Sequence, residues 1–171
     1  DDARIDEQQK EQTEAESIAA IRESCGWTGM YFGGTAFKKQ RTVKPSKYHE
    51  AASLAAGYMD AVTTSGIATG QSADIEKIRI FREGIENHVL AIASGITSEN
   101  VDDYMDTADA FLVATGINYP GDFYNMDPLR LRRLLERTRH SAARRGIDQK
   151  YAATRRENAD WYLKHMAPNI K

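Results

Sequence analysis

The chain has 171 residues, of which 41% are hydrophobic and 28% charged, and a formal net charge of −2. That length supports one well-buried core, so a single domain is expected, and no stretch approaches the roughly 18 consecutive apolar residues of a membrane helix. Cys25 is the only cysteine, which excludes an internal disulfide and any multi-cysteine metal site.

The opening residues are rich in Glu and Gln and hold Ile5 as their only large apolar side chain, so residues 1–17 are expected to form a polar helix or arm ahead of a helical domain, 18–171. Ile18, Ile21 and Cys25 recur at helical spacing, and a buried structural role is expected for Cys25. The first residue is Asp1 with no charged-then-apolar signal segment, and both a cytoplasmic protein and an exported mature chain fit that beginning.

From Trp27 to Lys44 the pattern changes. Gly29, Gly33 and Gly34 interrupt the aromatic residues Trp27, Tyr31, Phe32 and Phe37, followed by Lys38, Lys39 and Arg41, as expected for a glycine-rich loop or a short hairpin. Pro45-Ser46 then opens a second helix with a small-residue stripe of Ala51, Ala52, Ala55, Met59 and Val62. Ser72 is expected to cap a third, with Ile78, Phe81, Ile85, Val89 and Ile92 on one face, and Ser98 a fourth, with Val101, Met105, Ala108 and Leu112 inward and Tyr104 and Phe111 on the flank.

An aromatic loop from Gly116 to Asp127 leads into a fifth helix. Asp127-Pro128 starts it as cap and first-turn proline, and it carries Leu131, Leu134, Leu135, Thr138 and Ala142. Asp148 is expected to cap a sixth, with Tyr151, Ala159, Tyr162, Leu163 and Met166 inward. Gly26-Trp27, Gly66-Ile67, Gly95-Ile96, Gly116-Ile117 and Gly146-Ile147 each read as a helix stop, in which glycine takes the left-handed conformation and the apolar residue folds back on the last turn. Together these signals predict an all-α, single-domain bundle of five to six helices with one aromatic, glycine-rich loop or short hairpin.

The chemical motifs are sparse. His49, His88, His140 and His165 are scattered without ligand spacing, so no metal or cofactor is expected; there is also no phosphate loop, dinucleotide fingerprint or nucleophile elbow. Glu23-Ser24 at a helix end, followed by aromatic and glycine-rich residues, resembles the Glu-Ser pair of lytic transglycosylases and related muramidases. That resemblance implies peptidoglycan cleavage with Glu23 as the acid, although the family's following Gly-Leu-Met-Gln segment is missing here.

Charge is polarised along the chain. Glu99, Asp102, Asp103, Asp106 and Asp109 lie close together, whereas Arg130, Arg132, Arg133, Arg137, Arg139, Arg144 and Arg145 crowd the fifth helix. Arg130, Arg133, Arg137 and Arg144 share one helical face, and Asp102, Asp106 and Asp109 another. With Trp27, Tyr31, Tyr119, Phe123 and Tyr124 as interface anchors, the expected function is a non-enzymatic, charge-polarised interaction or assembly component that docks a protein partner or a second copy of itself. Nucleic-acid binding by the Arg-rich helix 128–145 is the alternative, and muramidase activity a second.

Overall fold

Phe32–Gly34 (β1), Ala61–Thr64 (β2), Val89–Ala93 (β3) and Ala110–Leu112 (β4) form a four-stranded, entirely parallel sheet in chain order. The computed structural model describes residues 15–40 and 42–144, and its helices are Ala15–Ser24 (α1), Tyr48–Ala56 (α2), Ile75–Ile85 (α3) and Pro128–Arg144 (α4), with 3₁₀ turns at Pro45–Lys47 and Val101–Asp103. The protein is therefore α/β, and the expected all-α bundle is wrong.

The error has a physical origin. Val62, expected to finish the second helix, lies in β2; Val89 and Ile92, expected on the third helix, lie in β3; Phe111 and Leu112, expected on the fourth, lie in β4. β2 and β3 are almost wholly buried, and strands buried on both faces carry near-continuous apolar runs with no two-residue alternation, whereas β4 is only half-buried with Leu112 exposed. Each such run sits just beyond a true helix or turn, where its residues also satisfy a three- and four-residue step. All of Ala61, Val62, Thr63 and Thr64 are buried, so β2 shows no alternation at all. The expected hairpin within Trp27–Phe37 is absent too, because β1 pairs in parallel with β2.

The helix signals were partly correct. Gly26 closes α1 in a Schellman arrangement, with φ of 63°, its N–H donating to Glu23 O and the Trp27 N–H to Arg22 O, both at 3.0 Å. Asp127 caps α4 as expected, accepting from Leu129 N at 2.8 Å. Asp74, and not Ser72, caps α3 by accepting from Glu76 N at 2.9 Å, while Ser98 precedes only a 3₁₀ turn. The expected sixth helix from Asp148, the Gly146-Ile147 stop and most of the polar N-terminal arm lie outside the described residues.

Val62, Leu90 and Ile92 point into one core with Ala52 and Ala55 of α2, Ile78, Phe81 and Ile85 of α3, Tyr104 and Met105 after the second 3₁₀ turn, and Leu134 of α4. The strands follow one another in chain order, and the connecting helices α2 and α3 pack into this one core on one face of the sheet. This is the arrangement of a β/α barrel wall; a doubly wound sheet reverses its strand order and takes helices on both faces.

Gly66, Gly95 and Gly116 follow strands, not helices, and two of them mark close approach between neighbouring loops. A Cβ on Gly116 would lie 1.9 Å from Ile96 O, and one on Gly95 would lie 2.3 Å from the Gln71 carbonyl. Gly116→Ala is therefore expected to cost at least about 3 kcal/mol, because backbone must move. Gly121→Ala, at φ 78° with nothing within 4 Å, is expected to cost only about 1 kcal/mol. Urea unfolding of the two variants checks the difference.

Candidate functional site at the carboxyl edge of the sheet

The two ends of the sheet are built differently. At the amino ends of the strands, ion pairs and backbone hydrogen bonds close the structure. Asp60, just before β2, accepts from Tyr31 N at 2.7 Å and from Arg22 of α1 at 2.6 Å. The Tyr31 N–H, followed by the Arg22 guanidinium, holds the Asp60 carboxyl below its ordinary range. Asp109, just before β4, accepts from Arg82 at 2.5 Å and from Leu90 N at 2.9 Å. His88 Nε2 lies 2.6 Å from Met59 O, which gives this histidine a structural partner.

The carboxyl ends carry polar, glycine-rich and strained loops. After β1, Ala36 and Lys39 both take positive φ, 46° and 64°, a conformation that costs a non-glycine residue roughly 1–2 kcal/mol. Side chains from the neighbouring unit hold this strap in place. Lys77 Nζ donates to Ala36 O at 2.7 Å and to Ser65 O at 2.8 Å. Thr64 Oγ1 also donates to Ala36 O at 3.4 Å, and Ser65 Oγ accepts from Lys38 N at 2.8 Å. Within the strap, Gln40 Oε1 accepts from Phe37 N at 3.1 Å.

The loops after β2 and β3 are tied to each other as well. Ser94 takes a φ of 107°, and its hydroxyl donates to Ala68 O at 3.0 Å. Asn100 donates to Gly95 O at 2.7 Å and to Ser72 Oγ at 2.9 Å, and Ser72 in turn donates to Gly95 O at 3.2 Å. Strain held by surrounding bonds concentrates at functional sites, and ligands of parallel β/α proteins bind outside the carboxyl ends of the strands.

A cleft of about 170 Å³ opens at this edge beside β1 and β2, with Lys38, Lys39, Gln40, Tyr48, Gly66 and Lys77 among its lining residues. Lys77 is the distinctive group. Its residue is only 8% exposed, its ammonium sits 5.3 Å from the Tyr48 ring centroid and 5.6 Å from that of Phe81, and burial lowers its pKa from 10.5 to about 8, partly opposed by Asp74. A buried cation with a displaced pKa in a cleft is a functional-site candidate.

The residues singled out from sequence are not gathered here. Arg130 donates to Asn118 O at 3.2 Å and lies 3.8 Å from Asp127, and Arg133 is exposed. Arg137 pairs with Asp102 within the same chain. Asp106 is exposed, Asp109 belongs to the amino edge, and the Arg144 side chain lies outside the described residues. Trp27 and Tyr31 flank Arg22, with its guanidinium 5.0 and 5.2 Å from their ring centroids, while Tyr119, Phe123 and Tyr124 are exposed. Cys25 is exposed, against the expected buried role. Glu23 is exposed at the end of α1, without the apolar surroundings that a glycosidase acid requires. Among the described residues no cluster of metal-ligating side chains occurs.

Sequence reasoning missed Lys77, Ser65 and Ser94. A signal for Lys77 existed: it lies four residues before Phe81, which places a lysine at the border of an apolar helical stripe.

Residues 40–140 match the family model described as the BtpA family. The chain belongs to the BtpA family. The match spans α2 through β4 and most of α4, and so the loops after β2, β3 and β4; β1 and the strap residues Ala36 to Lys39 lie just before it. An uncharacterized protein of Thermococcus kodakarensis is 36% identical over 81 residues, which cover 47% of this chain and 31% of the relative. The aligned part thus spans about a third of that relative's length. No solved structure matches the chain significantly. BtpA membership and the parallel sheet overturn the expected function as a non-enzymatic helical assembly component, together with its nucleic-acid and muramidase alternatives. Among the described residues no helix is long and apolar enough to cross a membrane.

Lys77 makes a signed prediction about pH. Between about 8 and 10.5 the unfolded chain keeps the Lys77 proton that the folded protein sheds, so this group makes stability rise with pH across that window and contributes no slope below it. The neutral amine still has two N–H groups for Ala36 O and Ser65 O. Urea unfolding at intervals across this window should show a steeper rise for the wild type than for Lys77→Met.

Proposed function

We propose that this BtpA-family protein binds a small polar metabolite at the carboxyl edge of its sheet, in an enzyme-type site formed by the loops after the parallel strands. The observation that carries this reading is the asymmetry of the two edges. Asp60–Arg22 and Asp109–Arg82 neutralise the amino edge, where Glu86 alone takes positive φ among the described non-glycine residues, whereas the carboxyl edge combines Ala36, Lys39 and Ser94 at positive φ, close glycine contacts and a cleft containing a desolvated lysine. Conformational strain and a buried cation both cost stability, and ligand binding gives a reason to keep them.

A second reading concerns partners. Phe123 and Tyr124 are 70% and 95% exposed, and Met126 and Leu129 continue the apolar surface onto α4. This favours a protein partner or self-association at the far part of the loop after β4, with Tyr119 and the Arg-bearing helix beside it.

The ligand site is tested by screening sugars, nucleotides, sugar phosphates and carboxylic acids for thermal stabilisation, then mapping any binder by amide chemical shifts. Shifts should gather in 36–40, 65–72, 94–97 and 113–116; shifts confined to 58–60, 87–89 and 109 would place binding at the wrong edge. For self-association, sedimentation velocity should show a concentration-dependent species that Phe123→Ser with Tyr124→Ser abolishes. A monomer at all concentrations, with no bound protein, would remove that second reading.

A further inference from the structure

The lining of the cleft beside β1 and β2 is chemically one-sided. Lys38, Lys39 and Lys77 contribute three ammonium groups, and none of the residues lining it is acidic. The nearest acidic influence on Lys77 is Asp74, which caps α3 and is itself exposed. Gln40, Thr42 and Tyr48 add polar hydrogen-bonding groups to the lining, while Ala36, Val43, Gly66 and Ile67 leave much of the wall uncharged. Lys77 is buried, and an anion beside a buried ammonium offsets part of its lost hydration.

We propose that this cleft holds the phosphoryl group of a small metabolite, with Lys77 beneath it and Lys38 and Lys39 closing over it. The proposal rests on the carboxyl-edge site described above and names the charged group of its ligand. Two of the three N–H groups of Lys77 are committed to Ala36 O and Ser65 O, so the third is the donor available to the cleft. The same two bonds fix the ammonium in position, which lowers the entropy lost when an anion arrives.

The strap geometry fits this role. Lys38 and Lys39 are consecutive, and in an extended chain their side chains would point to opposite sides. The positive φ of Ala36 and Lys39 breaks that extended path, and both lysines line the same cleft. Ser65 secures the turn by accepting from Lys38 N at 2.8 Å. A cleft of about 170 Å³ has room for a phosphoryl group and several waters. Lysine recognises phosphate as a point charge, so three ammonium groups favour a dianion over a single carboxylate.

The test follows amide shifts on titrating the protein with inorganic phosphate, pyrophosphate and acetate at constant ionic strength. Phosphate and pyrophosphate should saturate shifts at Phe37, Lys38, Gly66 and Ile67, with acetate about tenfold weaker. Lys38→Ala with Lys39→Asn should weaken phosphate about tenfold without lowering the melting temperature, since asparagine tolerates the positive φ at position 39. Lys77→Met should abolish the shifts; should that variant fail to fold, the strap double variant decides. Phosphate affinity unchanged in the double variant, or equalled by acetate, overturns the proposal. A neutral ligand that moves the carboxyl-edge amides while phosphate and pyrophosphate do not overturns the phosphoryl assignment and leaves the site standing. If no compound moves the carboxyl-edge amides, the site and its phosphoryl group both fail.

Discussion

The ammonium of Lys77, held between the carbonyls of Ala36 and Ser65, couples the loop after β1 to the loop after β2 and thereby shapes one end of the sheet. Taking a lysine out of water is costly, and here two carbonyl dipoles and the faces of Tyr48 and Phe81 replace part of the lost hydration. The bond to Ala36 O holds a residue at φ 46° that would otherwise relax toward an ordinary conformation. Without Lys77, the strap carrying Lys38 and Lys39 would lose its main anchor to α3, and the cleft would lose both its floor and its wall. The same side chain therefore serves structure and electrostatics.

The bonded edge and the strained edge lie at opposite ends of the strands. At the amino edge, Asp60 and Asp109 each combine an arginine partner with a backbone N–H, so the carboxylates also order the entry to β1 and β3. At the carboxyl edge, successive loops lie so close that a methyl group would collide with the backbone of the preceding loop at Gly95 and Gly116. Close loop packing fixes the relative positions of adjacent β/α units, and a rigid rim is what a small-molecule site needs. The division matches the general rule for parallel β/α proteins, in which the amino face serves stability and the carboxyl face serves binding.

Local features were legible in the sequence wherever the physics was local. The Schellman turn at Gly26, the Asp127-Pro128 start of α4 and the apolar face of α3 depend on a few consecutive residues, and each was readable from them. The carboxyl-edge site was not, because Lys77, Ser65 and Ala36 are separated by whole elements and meet only through the strand pairing. Gly66-Ile67, Gly95-Ile96 and Gly116-Ile117 read as helix stops but follow strands, because glycine before an apolar residue also suits a strand end where a loop must pass close to its neighbour.

The sequence by itself determined the punctuation of the chain: which segments carry apolar stripes, and where glycines and caps interrupt them. Only the tertiary structure decided that the short runs at Ala61–Thr64, Val89–Ala93 and Ala110–Leu112 are strands. A buried parallel strand has no pattern of its own, since both faces are apolar or small and its hydrogen-bond partners lie in distant segments. The tertiary structure likewise paired Arg137 with Asp102 inside one molecule and set Lys77 beneath the strap. Long-range geometry decides which charges meet, and no spacing within the sequence encodes it.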